Sequence, residues 1–321
     1  MFQKDGKLKL ILGFSPPEKY LLTEIQKYVK VDGIIFSVAN FLESPSIFRR
    51  VIGKGLKDYY NFDDLVILDS GAWGIARRNL SISPDDVLSM AFQLRPDIFV
   101  SLDVTGKSPD EEKSFENFKY MYRKLDIPIM PVIHKPTLES VFKKYLDYDF
   151  RVFGHGGYTP NATSDTVQLI SDLKYLQFLM KKYNFEKLIH VFGVAEPKFK
   201  MKLINLGDWV DGINWKIWGF FGHIWCPHCL QPTHITPTKY HGHIDFEKAS
   251  SECKTSIEQK IAELDYSLEQ MKECNTKGRL QRMTYNAVVL YQTSFCPEGV
   301  TDLFSKPITD WSLVDFVSEE T

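Results

Sequence analysis

Along this chain, short runs of β-branched and aromatic residues alternate with longer stretches whose apolar positions recur every three to four residues. The short runs predict strands at Leu8–Phe14, Gly33–Asn40, Leu65–Ala72, Ile98–Val104, Ile127–His134, Phe150–Gly157, Leu188–Val194 and Trp209–Trp215. The helical pattern covers Pro17–Val29, Pro45–Tyr60, Pro84–Leu94, Pro109–Leu125, Leu138–Leu146, Asp165–Tyr183 and Lys198–Leu206. Ser83-Pro84-Asp85-Asp86 offers an N-cap serine, a proline at the first helical position and acids in the first turn. Ser108-Pro109-Asp110-Glu111 repeats that device, and Ser44-Pro45 is a weaker version.

Nearly continuous apolar strands separated by helices predict a parallel sheet covered by helices. Eight units within about 210 residues fit a closed barrel better than an open sheet. The expected fold is therefore α/β: a (β/α)8 TIM barrel over residues 1–217. After Trp215 the texture changes. Residues 216–250, rich in Trp, His, Cys, Pro and Thr, predict a loop-built excursion, and 254–275 and 278–293 predict two helices. Residues 218–321 are thus expected to form a Cys/His-containing insertion and a helical appendage, with a short closing segment at Trp311–Val317.

Composition narrows the function. Of 321 residues 44% are hydrophobic, enough for a large core, and the net charge is −2. Any nucleic-acid binding must then use a local basic patch. The first apolar run is broken at Ser15-Pro16-Pro17, and no 18-residue apolar stretch follows. A soluble, cytoplasmic protein is expected. Five cysteines, an odd number, argue against a secreted disulfide framework. No Gly-x-Gly-x-x-Gly follows the first strand, which weakens a dinucleotide-binding reading.

The active site of such a barrel lies at the carboxyl ends of its strands. Here those ends carry Asp69-Ser70-Gly71, Asp103, His134, His155-Gly156-Gly157, Phe192-Gly193-Val194 and Asp208-x-x-Asp211. One aspartate after a strand is usually a cap or turn former. Several on one rim, with a histidine and paired glycines, suggest a pocket. Facing carboxylates there can have their pKa values pushed apart, one to attack and one to hold a proton. His155 and His190 read as core or supporting groups.

These motifs, in this order over Leu65 to Ile217, resemble those of the tRNA-guanine transglycosylases. They are most similar to the branch that places 7-deazaguanine in DNA (the DpdA proteins). The resemblance implies roles residue by residue. Asp69, in the Asp-Ser-Gly motif with Ser70 and Gly71, would be the general acid/base. Asp103 would read the purine edge, with His134 standing where the family usually has glutamine. Gly156 and Gly157 would form a backbone platform beside the base, Gly193, in a segment matching the family's Met-Gly-Val, would be a further substrate-binding residue, and Asp211 would be the nucleophile. Trp73-Gly74 replaces the family's Phe-Gln, and Trp215-Lys216 occupies the region of its Pro-Thr-Arg. These departures favour the DNA-acting branch over the tRNA enzymes, as does the lack of an obvious RNA-binding module. The implied reaction exchanges guanine in DNA for a 7-deazaguanine base such as preQ0, with a duplex-opening partner protein conceivable. The alternatives are the same exchange on tRNA and a non-catalytic nucleic-acid-binding barrel.

Cys226-Pro227-His228-Cys229 is a metal-knuckle spacing with histidines and Cys253 downstream. The family's structural zinc follows its last strand, and Cys253 resembles its final cysteine. Cys226, Cys229, Cys253 and His241 are the expected zinc ligands, with His243 the alternative to His241. Tyr285-Asn286 falls where the family often has a zinc-binding His-Asn. Arg77, Arg78 and Lys107 follow catalytic strand ends and could hold phosphates.

Overall fold

Alternation within the strands decides the architecture of this protein, described from a computed structural model over residues 8–78, 82–105, 109–158, 166–237 and 244–293. Nine parallel strands form one sheet: β1 (Lys9–Phe14), β2 (Gly33–Ser37), β3 (Leu65–Asp69), β4 (Ile98–Val100), β5 (Ile129–Met130), β6 (Val132–His134), β7 (Val152–Gly156), β8 (Leu188–Val191) and β9 (Trp209–Gly212). Their order is β5-β4-β3-β2-β1-β9-β8-β7-β6. The two edge strands, β5 and β6, are separated in sequence by Pro131 alone, so the sheet curls into a nearly closed barrel. Proline lacks the N–H that would continue the ladder through that point.

Two apolar clusters sort by alternation. Ile11, Ile35, Ile67, Val100, Val132, Val152 and Trp209 pack on one another inside the curl. Their neighbours Leu10, Leu12, Val66, Leu68, Phe99, Phe153 and Val210 face the surrounding helices. Successive side chains of a strand point to opposite faces. The inner series therefore continues as Leu65, Ile67, Asp69 on β3, as Val132, His134 on β6, and as Trp209, Asp211 on β9. The carboxylates and histidines of the inner series thus stand toward its carboxyl end.

Each predicted strand contains an observed one, but most end earlier than expected. Val38–Leu42 and Ala72–Arg77, read as strand ends, are short helices that turn away from the sheet. The predicted last strand, to Trp215, gives way after Gly212 to a helix, Asn214–Phe220, that crosses the 217/218 boundary. The Pro45–Tyr60 helix is two, Pro45–Val51 and Leu56–Tyr60, because Gly55 sits at φ +84° between them. The expected excursion is more ordered than a loop. It contains β10 (His223–Trp225), β11 (Pro232–His234) and β12 (Ile244–Asp245) in a second small sheet.

Ser83 forms a full capping box with Asp86, as its sequence predicts. At the next helix the cap is Asp110, which accepts from Lys113 N–H. Ser44 makes no side-chain cap bond. The C-terminal helices are Ser251–Glu263, Leu268–Lys272 and Thr276–Gln292. The last packs on Asn214–Phe220, where buried Arg282 donates through Nε to Gly219 O at 2.7 Å. No helix among the described residues is long and apolar enough to cross a membrane. The segment Trp311–Val317 lies outside the described residues.

Candidate active site at the carboxyl ends of the strands

The inward positions of β1, β2, β3, β6, β7 and β9 open onto a cavity of about 550 Å3. Asp69, Asp103, His134, Gly156, Gly157, Gly193 and Asp211 all line it. Ser70 and Gly71 do not. Ser70 is fully buried behind the wall, with its hydroxyl 3.5 Å from Asp103 Oδ1. Gly71 is required where it stands: φ is +81°, and a Cβ would lie 2.7 Å from Ala39 N. That turn aims the Gly71 N–H at Asp69 Oδ2, 3.0 Å away. A larger depression, about 710 Å3, lies at the opposite end of β7 and β8 beside Phe150 and Lys187. None of the inward-facing carboxylates reaches it.

Asp69 is held as a proton carrier. Burial is the main cause, and the negative charges of Asp103 and Asp211 add to it. Hydrogen bonds from Gly71 N–H and Ser37 work in the opposite sense, and the outcome is a pKa of about 7. One carboxyl of the cluster therefore keeps its proton close to neutrality.

Asp103 is tied into a charged relay. His134 Nε2 lies 2.8 Å from Asp103 Oδ2, and His134 Nδ1 lies 2.7 Å from Glu111 Oε1. The His134 N–H also donates to Glu111 Oε1 at 3.1 Å. Burial by itself would lower the pKa of His134, but the hydrogen bonds and charges of the two carboxylates outweigh it and lift the value to about 9. His134 is an imidazolium between two carboxylates. Both its nitrogens are engaged, so it acts by holding Asp103 instead of offering a free edge to a ligand.

Asp211 is fixed differently. Its Oδ1 accepts from Gly193 N–H at 2.9 Å and lies 3.1 Å from His190 Nε2. Gly193 adopts φ +74°, which turns its N–H toward the carboxylate. His190 is fully buried, packed on Phe192 and Trp209, with no partner at Nδ1. Both contacts fall on one oxygen, so Oδ2 is left toward the cavity.

The sequence reading took His190 as a core or supporting group, which its contact with Asp211 fits, and missed Glu111 and Ser37 as members of this site; it did not place His190 beside Asp211. Continuing the inward series from Leu188 to His190 would have placed it there. Glu111 looked like an ordinary first-turn acid, and nothing local shows that it reaches His134. The other aspartate of the Asp208-x-x-Asp211 pattern is not at the site: Asp208 Oδ2 accepts from Ile189 N–H at 2.8 Å, at the amino end of the barrel. His155 is buried against Thr137 and Tyr158, and burial lowers its pKa to about 3. Arg77 and Arg78 stand at the mouth, Arg78 paired with Glu43 at 2.9 Å. Lys107 lies outside the described residues.

Beyond the barrel, the sulfurs of Cys226, Cys229 and Cys253 lie within 4.8 Å of one another and could hold a metal ion. His241 and His243 lie outside the described residues. Asn286 is occupied elsewhere, accepting from Trp225 N–H at 2.8 Å and donating to Trp215 O and His223 O. Tyr285, fully buried, stands in place of the histidine expected there.

No family model matches the chain. A relative in Sulfolobus islandicus rod-shaped virus 1, described as an uncharacterized protein 306, is 35% identical over 141 residues. That match covers 41% of this chain and 43% of the viral protein.

Proposed function

We propose that this protein is a guanine transglycosylase built on a (β/α)8 barrel whose fifth strand is interrupted at Pro131. The observation that carries the reading is the division of labour between two inward carboxyls. Asp69 holds a proton near neutrality, and Asp211 has one oxygen pinned by Gly193 and His190 while the other is free. That is the pairing a double displacement at a sugar carbon needs.

In the first step Asp211 Oδ2 attacks C1′ of the target nucleotide, and the bond from C1′ to the base nitrogen breaks. Asp69 gives its proton to the departing guanine. The sugar is left esterified to Asp211. In the second step the incoming base loses its ring N–H proton to Asp69 and displaces Asp211 from C1′. Asp103, bonded to His134 through Oδ2, accepts from the amino and ring N–H groups of the purine. The backbone at Gly156 and Gly157 lies beside the base. The target nucleotide must leave its stack to enter, at a cost of a few kcal/mol.

DNA is the preferred polymer, with a 7-deazaguanine base entering, because the segments that follow Gly71 and Asp211 depart from the tRNA enzymes while the acids are kept. Incubation with labelled guanine or preQ0 and either DNA or total tRNA tests this. Label in DNA supports it. Label in tRNA alone transfers the reaction to that substrate, and label in neither, with and without a duplex-opening partner, removes the exchange reading.

The cysteine cluster is proposed as a structural zinc site. Three thiols so close together suit a tetrahedral thiolate-rich ion, which would tie the segment after β10 to the helix carrying Cys253. Metal analysis should find about one zinc per chain, falling sharply in Cys226→Ser. A folded, metal-free wild type would refute the site.

A further inference from the structure

The rim of the cavity carries exposed rings and unpaired guanidiniums that the exchange chemistry does not use. Trp73, 42% exposed, stands after β3 with the Arg77 guanidinium 5.2 Å from its ring centroid. Across the ends of β2 and β1, Ile217 continues the cavity wall along the Asn214–Phe220 helix. Phe220 and Phe221, 47% and 44% exposed, prolong that apolar stripe outward. Arg279, from the last helix, stacks 4.5 Å over Phe220. Three strand spacings separate β3 from β9, roughly 14 Å along the sheet edge.

Charge decides what this surface fits. The acidic groups on the same rim already have partners: Glu18 with Lys216 at 2.6 Å, Glu43 with Arg78, and Glu196 with Asn214. Among the described residues no carboxylate pairs with Arg77 or Arg279, and Nε of Arg279 is buried with no hydrogen-bond partner. A second copy of this chain would bury those cations uncompensated. A strand of unpaired nucleotides would stack its bases on the rings and bring phosphates to the guanidiniums.

We propose that this rim is a docking track for the single-stranded nucleotides that flank the target, running from Trp73 and Arg77 to Phe220, Phe221 and Arg279. It rests on the nucleic-acid reading of the cavity but not on the exchange step. The track gives the polymer a grip that is independent of base identity. It also stabilises the unstacked form that the cavity requires.

Fluorescence anisotropy with a labelled single-stranded oligodeoxynucleotide tests it on the full chain. Wild type should bind the single strand more tightly than the matching duplex. Trp73→Ala and the double variant Phe220→Ala, Phe221→Ala should each weaken binding about tenfold or more. Arg77→Gln and Arg279→Gln should each flatten the dependence of log affinity on log salt by about 0.7. Lys187→Gln, at the opposite end of the barrel, should bind as wild type does. Circular dichroism and melting confirm that each variant is folded, which their exposed positions favour; a variant that misfolds is replaced by Trp73→Gln or Phe220→Ser, read the same way. Loss of binding in the rim variants supports the track even if no base is ever exchanged. Exchange and binding that survive in every rim variant overturn the track and leave the exchange reading standing. Absence of single-strand binding by wild type also overturns it. So does a wild-type dimer, by sedimentation, that the Phe220, Phe221 variant converts to monomer.

Discussion

Aspartates stand at both ends of this barrel, and they do different work. At the amino end three of them bond a backbone N–H of a neighbouring strand: Asp32 takes Leu10 N, Asp97 takes Val66 N and Asp208 takes Ile189 N, at 3.1, 2.8 and 2.8 Å. At the carboxyl end Asp69, Asp103 and Asp211 face a shared cavity, where they meet histidines and one another. The residue type is the same and the sequence spacing is close, as Asp208 and Asp211 show. Partner and solvent access assign the role: a carboxylate answered by an amide is a structural clasp, whereas several sharing one cavity must divide protons among themselves.

The sharpest way to break this contrast is to replace Asp211 by alanine. If the proposed exchange holds, it should fall by about three orders of magnitude or more, since the proposed covalent step would lose its nucleophile. The melting temperature should change little. Near-normal exchange in radiolabelled guanine assays would remove Asp211 from the mechanism.

Next in size is His134→Phe, which leaves Asp103 and Glu111 facing each other without the imidazolium. Breaking such an ion network costs about 3–5 kcal/mol in denaturant unfolding. The sign with pH follows from the raised pKa. Folding holds the His134 proton up to about pH 9, whereas the unfolded chain releases it near the ordinary 6.5. Its stabilising contribution is therefore complete below about 6.5 and is lost as pH rises through 9. Equal stability of wild type and variant at pH 6 would sink the relay.

Asp208→Ala tests the clasp end. Leaving Ile189 N–H without its acceptor should cost about 1–3 kcal/mol, with the exchange rate intact below the melting temperature. A variant that melts normally but loses exchange would erase the distinction between the two ends.

At Asp69 the test is a slope with pH. Its folded pKa of about 7 lies above the ordinary 3.8, so the folded state keeps a proton that the unfolded state has given up. Stability must fall as pH rises between those values, and Asp69→Asn should remove that slope. The melting difference in favour of the asparagine variant should widen from pH 5 to pH 7. A difference independent of pH would mean that Asp69 is not protonated in the fold.

Much of the site was legible from strand ends alone. Asp69, Asp103, His134 and Asp211 were singled out by position, and all four line the cavity. Periodicity also covered every strand of the large sheet, with β5 and β6 read as one, because an inside and an outside apolar cluster leave few polar positions within it. What escaped was pairing. Glu111 and His134 are 23 residues apart and His190 and Asp211 are 21 apart, each pair on different elements that only helix packing or strand pairing brings together. The Asn214–Phe220 helix was missed because large apolar residues recur from Trp209 and Val210 to Ile213 and Trp215, and so short a pattern cannot say where a strand stops and a buried helix begins.

By itself the sequence determined which residues share a face of each strand: alternation at a period of two groups Ile67 with Asp69, Val132 with His134 and Trp209 with Asp211, and the strand ends deliver the polar member of each to the same end, whereas the fold chose which face is inside. Only the tertiary structure decided what those groups became. Two carboxylates reach His134 and hold it charged, and repulsion from Asp103 and Asp211 adds to burial in keeping Asp69 protonated. Gly193 and His190 claim one oxygen of Asp211. Those outcomes depend on distances of about 3 Å between elements far apart in the chain, and electrostatic and hydrogen-bond energies at that range are set by geometry that periodicity does not encode.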